Sequence, residues 1–286
     1  MVPPAMIYVV SRKTIWRLCF VCMLGSAFGL VLAVLSARSA NAQPEGSFLS
    51  RFDNGDPLPD GWQISNFAVR SPGLRTAWTR NAVTSGGLKG MPLELRLYPA
   101  PAESDKNFFG GQVQRQRRTH YGHYEVEMTA GRGNGVISSF FTYTGPYFGD
   151  PHDEIDFEFL GRDTTKVWVN RFAKGERLPG KWIDLGLDAA AGPNVYAFDW
   201  LPDRIIWFVN GREIYRIEAK DRVLPDIPGR IYFDIWTGGR GQTHWAGWAD
   251  QSTESLAKYY CISYRLPHEQ APSCSDERAS TVHSDE

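Results

Sequence analysis

The chain has 286 residues, of which 42% are hydrophobic, 13% aromatic and 22% charged. That composition supplies enough apolar surface for a sizeable core and excludes an intrinsically disordered chain. The formal net charge is −1 and the sequence contains no basic stripe, so nothing in it indicates a nucleic-acid partner.

The N-terminus has the three parts of a secretory signal peptide. A basic segment carries Arg12, Lys13 and Arg17, an apolar run covers residues 18–35, and Ala40-Asn41-Ala42 forms a small-x-small cleavage site. We predict cleavage of residues 1–42 and a secreted or periplasmic protein without a membrane attachment. The alternative is an uncleaved signal anchor, since the apolar run reaches the lower end of the roughly 17 to 25 residues that span a bilayer.

The part of the chain after residue 42 has the pattern of one all-β domain. Short apolar or alternating runs are separated by Gly, Pro, Asn and Asp, and helical periodicity is limited to residues 253–259. We expect the domain to cover residues 43–266, and a loosely held tail rich in polar residues to follow at 267–286. The predicted strands are residues 93–97, 121–128, 135–143, 154–160, 166–172, 194–200, 205–209 and 230–236, with a hairpin turn at Asn210-Gly211.

Two cysteines, Cys261 and Cys274, remain after removal of the signal peptide. In an exported protein such a pair can form a disulfide, which would tie the tail to the domain. The alternative is that Cys261 is a buried apolar residue. The histidines are scattered and no Cys/His spacing indicates zinc, so we predict no metal site from the sequence.

The strongest functional signal lies between His152 and Gly161. From residue 153 to residue 159, acidic and large apolar residues alternate with a period of two, which predicts a strand with one dry and one wet face. Three like charges on one strand face repel each other unless the protein uses them. One face carries Asp153, Ile155, Phe157 and Phe159, and the other carries Glu154, Asp156 and Glu158.

The spacing of these acids suits glycosidic bond cleavage. Residues i and i+4 on a strand have Cα atoms roughly 13 Å apart, so Glu154 and Glu158 can lean toward the roughly 5 to 5.5 Å that retaining glycosidases use. Crowding raises the pKa of the most shielded carboxyl, which supplies an acid beside an ionised nucleophile, and Asp156 would tune both. The alternatives are a calcium site, which a straight strand forms poorly, and an acidic face exposed to solvent.

These residues resemble glycoside hydrolase family 16, whose signature is Glu-x-Asp-x-Glu on a strand. The similarity extends over most of residues 75–265 and is greatest to bacterial lichenase-like endo-β-glucanases and related exopolysaccharide depolymerases. It implies an all-β jelly-roll sandwich of two antiparallel sheets with a concave substrate cleft. The resembling segments are residues 121–126, 138–146, 161–167, 184–186 and 196–200, and the Trp-x-Val-Asn-Gly hairpin that begins at Trp207.

The resemblance also implies roles for the acidic strand. Glu154 corresponds to the nucleophile, Asp156 to its electrostatic helper and Glu158 to the general acid/base. A retaining endo-acting enzyme needs no cofactor for this chemistry. Whether the chain holds a structural calcium stays open, because the position at which lichenases bind calcium corresponds to Tyr260.

Five further positions correspond to the family's substrate contacts. Asn170 matches a residue that lines the cleft near the cleavage point, and Trp78 and Trp236 match aromatic residues that hold sugar rings. Gln112 falls near a position where lichenases use an acid. His152 replaces the Trp that lichenases commonly carry, as in plant xyloglucan endotransglycosylases, so it bears on substrate choice.

The expected function is therefore an exported, retaining endo-β-glucanase that acts as a monomer. Its substrate would be a β-1,3-1,4- or β-1,4-linked glucan or a related bacterial exopolysaccharide. Two alternatives stay open: a β-glucan transglycosylase, which shares the first chemical step, and a carbohydrate-binding sandwich without catalysis.

Overall fold

The computed structural model describes residues 44–55, 58–85, 88–220 and 222–284. The predicted signal peptide, residues 1–42, lies outside the described residues. Across the part of the chain that is described, no helix is long and apolar enough to span a bilayer.

The described residues form mostly strands, and the eight strands predicted from the sequence are all present with small shifts at their ends. In chain order the elements are β1 (Phe48–Arg51), β2 (Trp62–Ile64), β3 (Thr76–Trp78), β4 (Val83–Thr84), β5 (Leu93–Pro99), β6 (Phe108–Gly110), β7 (Gln112–Arg115), β8 (Gly122–Thr129), β9 (Val136–Thr144), β10 (Asp153–Leu160), β11 (Lys166–Ala173), β12 (Glu176–Arg177), β13 (Lys181–Asp184), β14 (Asn194–Trp200), β15 (Arg204–Val209), β16 (Arg212–Glu218), β17 (Arg230–Thr237), α1 (Thr243–Ala246), β18 (Ser255–Arg265) and α2 (Cys274–Ser284).

Two sheets face each other as a β-jelly-roll sandwich, which confirms the predicted fold. The front sheet contains eight of the described strands, in the order β12-β11-β10-β9-β17-β7-β2, with β13 paired to β11. The back sheet contains ten described strands, in the order β16-β15-β14-β8-β18-β5-β6-β3, with β1 paired to β18 and β4 to β5. Neighbouring strands run antiparallel, except that β3 and β6 are parallel.

The core fills the space between the sheets and uses the apolar face of β10. Phe157 and Phe159 are fully buried, and their rings lie 5.8 Å and 4.5 Å from the ring of Tyr196 on β14. Burying a side chain of this size contributes about 1.5 to 3 kcal/mol, so the register of β10 is strongly fixed. The three acids between these apolar residues consequently face away from the core.

Two buried side chains of the back sheet also reach the front-sheet backbone. Trp207 Nε1 donates to the carbonyl oxygen of Asp156 at 3.3 Å. The hydroxyl of Tyr259 lies 3.0 Å from the carbonyl oxygens of both Ser139 and Asp234. These contacts hold β9, β10 and β17 at a fixed depth over the core, which makes the opposite face of the front sheet a rigid platform.

The turn between β15 and β16 is the predicted Asn-Gly hairpin. Asn210 and Gly211 have φ angles of 47° and 77°, and Val209 pairs directly with Arg212. Positive φ at both central residues is the type I′ geometry that Asn-Gly favours.

The prediction of helical periodicity at residues 253–259 is wrong. Residues from Ser255 onward belong to β18, the strand that pairs with β5 on one side and β8 on the other. A register irregularity between Tyr259 and Cys261 shifts the alternation of side chains. Pairing on both edges therefore overrides a short local pattern.

The beginning of the C-terminal segment is attached to the back sheet, in contrast to the loosely held tail that its composition predicts. Cys274 forms a disulfide with Cys261, with the Cα atoms 5.8 Å apart. Ser275 donates to Glu125 from its backbone nitrogen at 3.0 Å and from its hydroxyl at 2.7 Å. Arg278 donates to Glu127 at 3.1 Å. A covalent bond and contacts to two buried acids thus fix the first turns of α2.

Removal of the disulfide is expected to destabilise the protein. The bond joins residues 13 positions apart, and closing a loop of that length stabilises the folded state by about 2 to 3 kcal/mol. Urea unfolding of Cys274→Ala should show a loss of this size. As the matched control, the wild type with dithiothreitol should resemble Cys274→Ala, and the variant should not respond to the reductant. Equal stability of the oxidised and reduced wild type would contradict a stabilising role.

Candidate active site

The three acids of β10 lie together on the accessible face of the front sheet. Glu154 and Glu158 are half-buried and Asp156 is buried, and all three line one cleft. Ile155 and Phe157 between them are fully buried in the core. The period-two pattern therefore places the acids as predicted from the sequence.

Neighbouring strands extend the acidic strand into a floor of three rows. Because β10, β9 and β17 pair in antiparallel register, residues directly opposite each other point to the same face. Each row begins at one acid of β10, crosses β9 and ends on β17. The first row is Glu154, Tyr143 and Arg230, the second is Asp156, Phe141 and Tyr232, and the third is Glu158, Ser139 and Asp234.

The cleft above this floor has a volume of about 800 Å³. Trp78 and Trp236 line it, and the ring of Trp78 lies 5.3 Å from that of Phe67. Tyr147, which is 89% exposed, also lines the cleft. Flat rings above a polar floor suit a ligand with apolar faces and many hydroxyl groups.

Burial and the neighbouring carboxyls shift the pKa values of Glu154 and Asp156. Burial raises the pKa of Glu154 to about 8, with a further contribution from the charge of Glu158, although a hydrogen bond with Asp156 lowers it. Burial, together with the charge of Glu154, raises the pKa of Asp156 well above its usual range. Asp156 Oδ2 is buried and has no hydrogen-bond partner among the described residues, so it is the other oxygen that faces Glu154. Their hydrogen bond raises the pKa of Asp156 and lowers that of Glu154, so Asp156 is the donor toward Glu154.

Of the two glutamates, Glu158 is the better placed to hold a proton. Burial raises the pKa of Glu158 well above its usual range, and the charges of Asp156 and Asp234 add to that effect. Arg177 lowers the pKa, but among the described residues no hydrogen-bond donor does so. Glu154 has a donor and Glu158 has none, so the proton is held more firmly on Glu158.

His152 contacts Glu154 and is absent from the cleft lining. Its Nε2 lies within hydrogen-bond distance of Glu154 Oε2, and its ring stacks on Phe172 at 4.0 Å with an interplanar angle of 9°. Burial lowers the pKa of His152, which favours the neutral ring. His152 is therefore placed to orient the Glu154 carboxyl.

The remaining predicted substrate residues occupy two parts of the site. Gln112 lines the cleft and is 4% exposed. Asn170 lies directly opposite Asp156 on β11 and is 5% exposed. Its Oδ1 has no hydrogen-bond partner among the described residues. Trp78 and Trp236 line the cleft, as described above, so all of the predicted residues lie in the cleft or beside it.

Asp234 was missed in the sequence analysis. It is 2% exposed, lies at the end of the third row and lines the same cleft as the three acids. Burial raises the pKa of Asp234 to about 6, while Ser139 and Gln112 lower it. The only sequence signal is its position between Tyr232 and Trp236 in an alternating strand, which places all three on one face.

Within the described ranges, no group of three or more His, Cys, Asp or Glu residues is arranged to hold a metal ion. Tyr260, at the position that corresponds to a calcium ligand of lichenases, offers a neutral phenol in place of a carboxylate. A phenol oxygen is a poorer calcium ligand than a carboxylate, so Tyr260 fits a structural calcium at that position poorly.

Comparisons with known proteins agree with this geometry. Residues 72–258 match Glycosyl hydrolases family 16. The chain is 38% identical over 220 residues to a β-glucanase of Bacillus licheniformis, which covers 77% of this chain and 86% of the relative. It is 36% identical over 237 residues to a β-glucanase of Bacillus subtilis (strain 168), which covers 82% of this chain and 93% of the relative.

A comparison with solved structures also finds a β-glucanase. A prokaryotic β-1,3-1,4-glucanase (lichenase) from a mouse hindgut metagenome superposes with a TM-score of 0.71 at 33% identity, over 77% of this chain and 99% of that chain. The family match includes all of β10 and the strands on both sides of it. The chain belongs to glycosyl hydrolase family 16.

Proposed function

We propose that this protein is a retaining endo-β-1,3-1,4-glucanase. The observation that carries the proposal is the pair Glu154 and Glu158 on one face of β10, with Asp156 between them, on the floor of a cleft lined by aromatic rings. Both the family and the relatives named β-glucanase support this activity.

In the first step the Glu154 carboxylate attacks the anomeric carbon of the sugar above it. Glu158 gives its proton to the departing glycosidic oxygen, and a glycosyl ester forms on Glu154. Asp156 and His152 contact Glu154, and the hydrogen bond with Asp156 lowers the pKa of Glu154, which favours the carboxylate that the attack requires. The accessible face of β10 brings both carboxyls to the same bond.

In the second step the ionised Glu158 removes a proton from water. The resulting hydroxide attacks the anomeric carbon, the bond to Glu154 breaks, and the sugar leaves with its original configuration. Two inversions at one carbon give net retention. Every proton in this cycle passes through Glu158.

The cleft supplies the binding energy that positions the polysaccharide. Trp78 and Trp236 provide apolar ring surface at the cleft wall. Trp78 Nε1 and Asn170 Oδ1 are buried and have no hydrogen-bond partner among the described residues. Such atoms favour a ligand that brings its own hydroxyl groups, because an unpaired buried polar atom costs about 1 to 3 kcal/mol.

Export and domain limits are part of the same proposal. Residues 1–42 would direct secretion or periplasmic delivery and be removed, and residues 43–266 would form the catalytic domain. The enzyme would act as a monomer. Mass spectrometry of the protein recovered outside the cytoplasm should give a mature N-terminus at residue 43.

A polysaccharide screen tests the activity. The wild type and Glu154→Ala are incubated with barley mixed-linkage glucan, laminarin, xyloglucan and an acidic bacterial exopolysaccharide, and product linkages are determined. We expect release of oligosaccharides from mixed-linkage glucan by the wild type alone, with retained anomeric configuration by proton NMR. Products longer than an added oligosaccharide would instead identify a transglycosylase. Binding without new reducing ends would identify a non-catalytic sandwich.

A further inference from the structure

Asp234 is a fourth carboxyl on the floor of the cleft, and the proposed mechanism does not use it. Asp234 Oδ2 accepts a hydrogen bond from Gln112 Nε2 at 2.8 Å, and Oδ1 accepts one from the Ser139 hydroxyl. Both oxygens therefore act as acceptors, which is the arrangement of an ionised carboxylate. With a pKa of about 6, Asp234 is ionised at neutral pH.

A chain of hydrogen bonds fixes the Asp234 carboxylate from the side of β7. Gln112 Oε1 accepts from the Ser65 hydroxyl at 2.7 Å, and the Ser65 oxygen accepts from Gln114 Nε2 at 3.2 Å. On the core side, the Tyr259 hydroxyl lies 3.0 Å from the backbone carbonyl of Asp234. A carboxylate held in this way cannot swing aside when a second negative charge develops nearby.

The third row sets the distance between Asp234 and Glu158. Ser139 lies between them, so their Cα atoms are two strand spacings apart, about 10 Å. Glu154 lies on the first row, further along the sheet by four residues. The charge of Asp234 consequently acts more strongly on Glu158 than on Glu154.

The other charged groups that act on Glu158 lie on β10 and β12, and they are Glu154, Asp156 and Arg177. Two further titratable groups, Tyr143 on β9 and the exposed Tyr147, line the same cleft. β17 adds Arg230 and Tyr232 beside Asp234, whereas β7 and β2 contribute only neutral glutamine side chains to the cleft. Asp234 is thus the one anion in the described cleft lining that does not belong to the acidic strand.

We propose that Asp234 is a positioning residue that keeps the transferable proton on Glu158, through a fixed negative charge held by Gln112 and Ser139. The proposal rests on the proposed function, in which Glu158 donates that proton. Before the first step, Glu154 and Asp234 are both ionised, so a third anion on the same floor is disfavoured and Glu158 stays in its acid form. In the second step, the same charge makes the ionised Glu158 a stronger base toward water.

A titration without substrate tests this role directly. The Glu158 carboxyl is followed by carbon-13 NMR in glutamate-labelled wild type and Asp234→Asn, with Glu158→Gln to assign the signal. In Asp234→Asn the midpoint should fall by about one pH unit, since a charge at this distance has been removed. An unchanged midpoint in a folded variant overturns the proposal. The result does not depend on whether the protein cleaves any polysaccharide.

A matched control exchanges the side-chain types of Asp234 and Gln112, so that the carboxyl and the amide trade places. Gln112→Glu combined with Asp234→Asn retains one acid and one amide, and moves the charge to β7, about 4.8 Å further from Glu158. The midpoint of Glu158 should lie between those of the wild type and Asp234→Asn. A midpoint equal to or below that of Asp234→Asn overturns the proposal. This variant also serves if Asp234→Asn alone fails to fold.

The pH dependence of kcat/KM separates a charge effect from a structural one. The alkaline limb reports loss of the Glu158 proton and should move by about one unit toward lower pH in Asp234→Asn. The acidic limb reports ionisation of Glu154 and should move less, because Glu154 lies two rows away. A uniform loss of kcat/KM with both limbs in place would mean a structural role alone and overturn the proposal.

Discussion

Glu154→Ala is expected to lower β-glucan turnover on the order of 10⁵-fold or more, since no glycosyl-enzyme can form without the nucleophile. Release of reducing ends measures the loss. Circular dichroism and thermal unfolding should match the wild type, because Glu154 lies on the cleft face and is half-buried. Hydrolysis at the wild-type rate would refute the assignment.

Added azide distinguishes the nucleophile from the acid. In Glu154→Ala, azide can occupy the space of the missing carboxyl and attack a β-glycoside that carries a good leaving group. The product should be an α-glycosyl azide, because only one inversion takes place. In Glu158→Ala, azide would attack the glycosyl-enzyme and give the β-product. The opposite pair of results would mean that the two roles are reversed.

Glu158→Gln is expected to lower polysaccharide hydrolysis by roughly 10³-fold, because the leaving oxygen departs unprotonated and water has no base. The rate of glycosyl-enzyme formation from an aryl glycoside should fall much less, since the phenol leaving group needs no proton. A burst of the released phenol, followed by slow turnover, measures the difference. The alkaline limb of kcat/KM should also disappear.

The matched control for Glu158→Gln is Glu213→Gln. Glu213 is an exposed acid on β16 at the edge of the back sheet, paired with Arg216. The same change of charge at Glu213 should leave the turnover of both the polysaccharide and the aryl glycoside unchanged. If Glu158→Gln reduced aryl glycoside and polysaccharide turnover equally and without a burst, Glu158 would not be the proton donor.

Local patterns in the sequence determined much of the catalytic strand. The alternation from residue 153 to residue 159 decides which side chains face the core, because a shift by one residue would bury Glu154, Asp156 and Glu158. The Asn-Gly turn likewise depends only on the φ angles of two adjacent residues. Such features need no knowledge of distant parts of the chain.

The attachment of the C-terminal helix α2 could not be predicted from its local sequence. Ser273 and Asp276 form reciprocal hydrogen bonds at the start of α2, a capping box that the sequence does contain. The helix lacks an apolar stripe, however, so its attachment depends on the disulfide and on Glu125 and Glu127 of β8. Composition alone cannot show that these acids lie beneath it.

The sequence by itself determined the strands and the face on which the three acids lie. Its resemblance to a known family indicated the catalytic role of each acid. Only the tertiary structure decided what surrounds them. Asp234 and Gln112 are 122 residues apart and meet because β17 pairs with both β9 and β7. A period of two fixes the face of each strand but leaves open which strands become neighbours and in what register. The charge that we propose to hold the proton on Glu158 therefore arises from strand pairing.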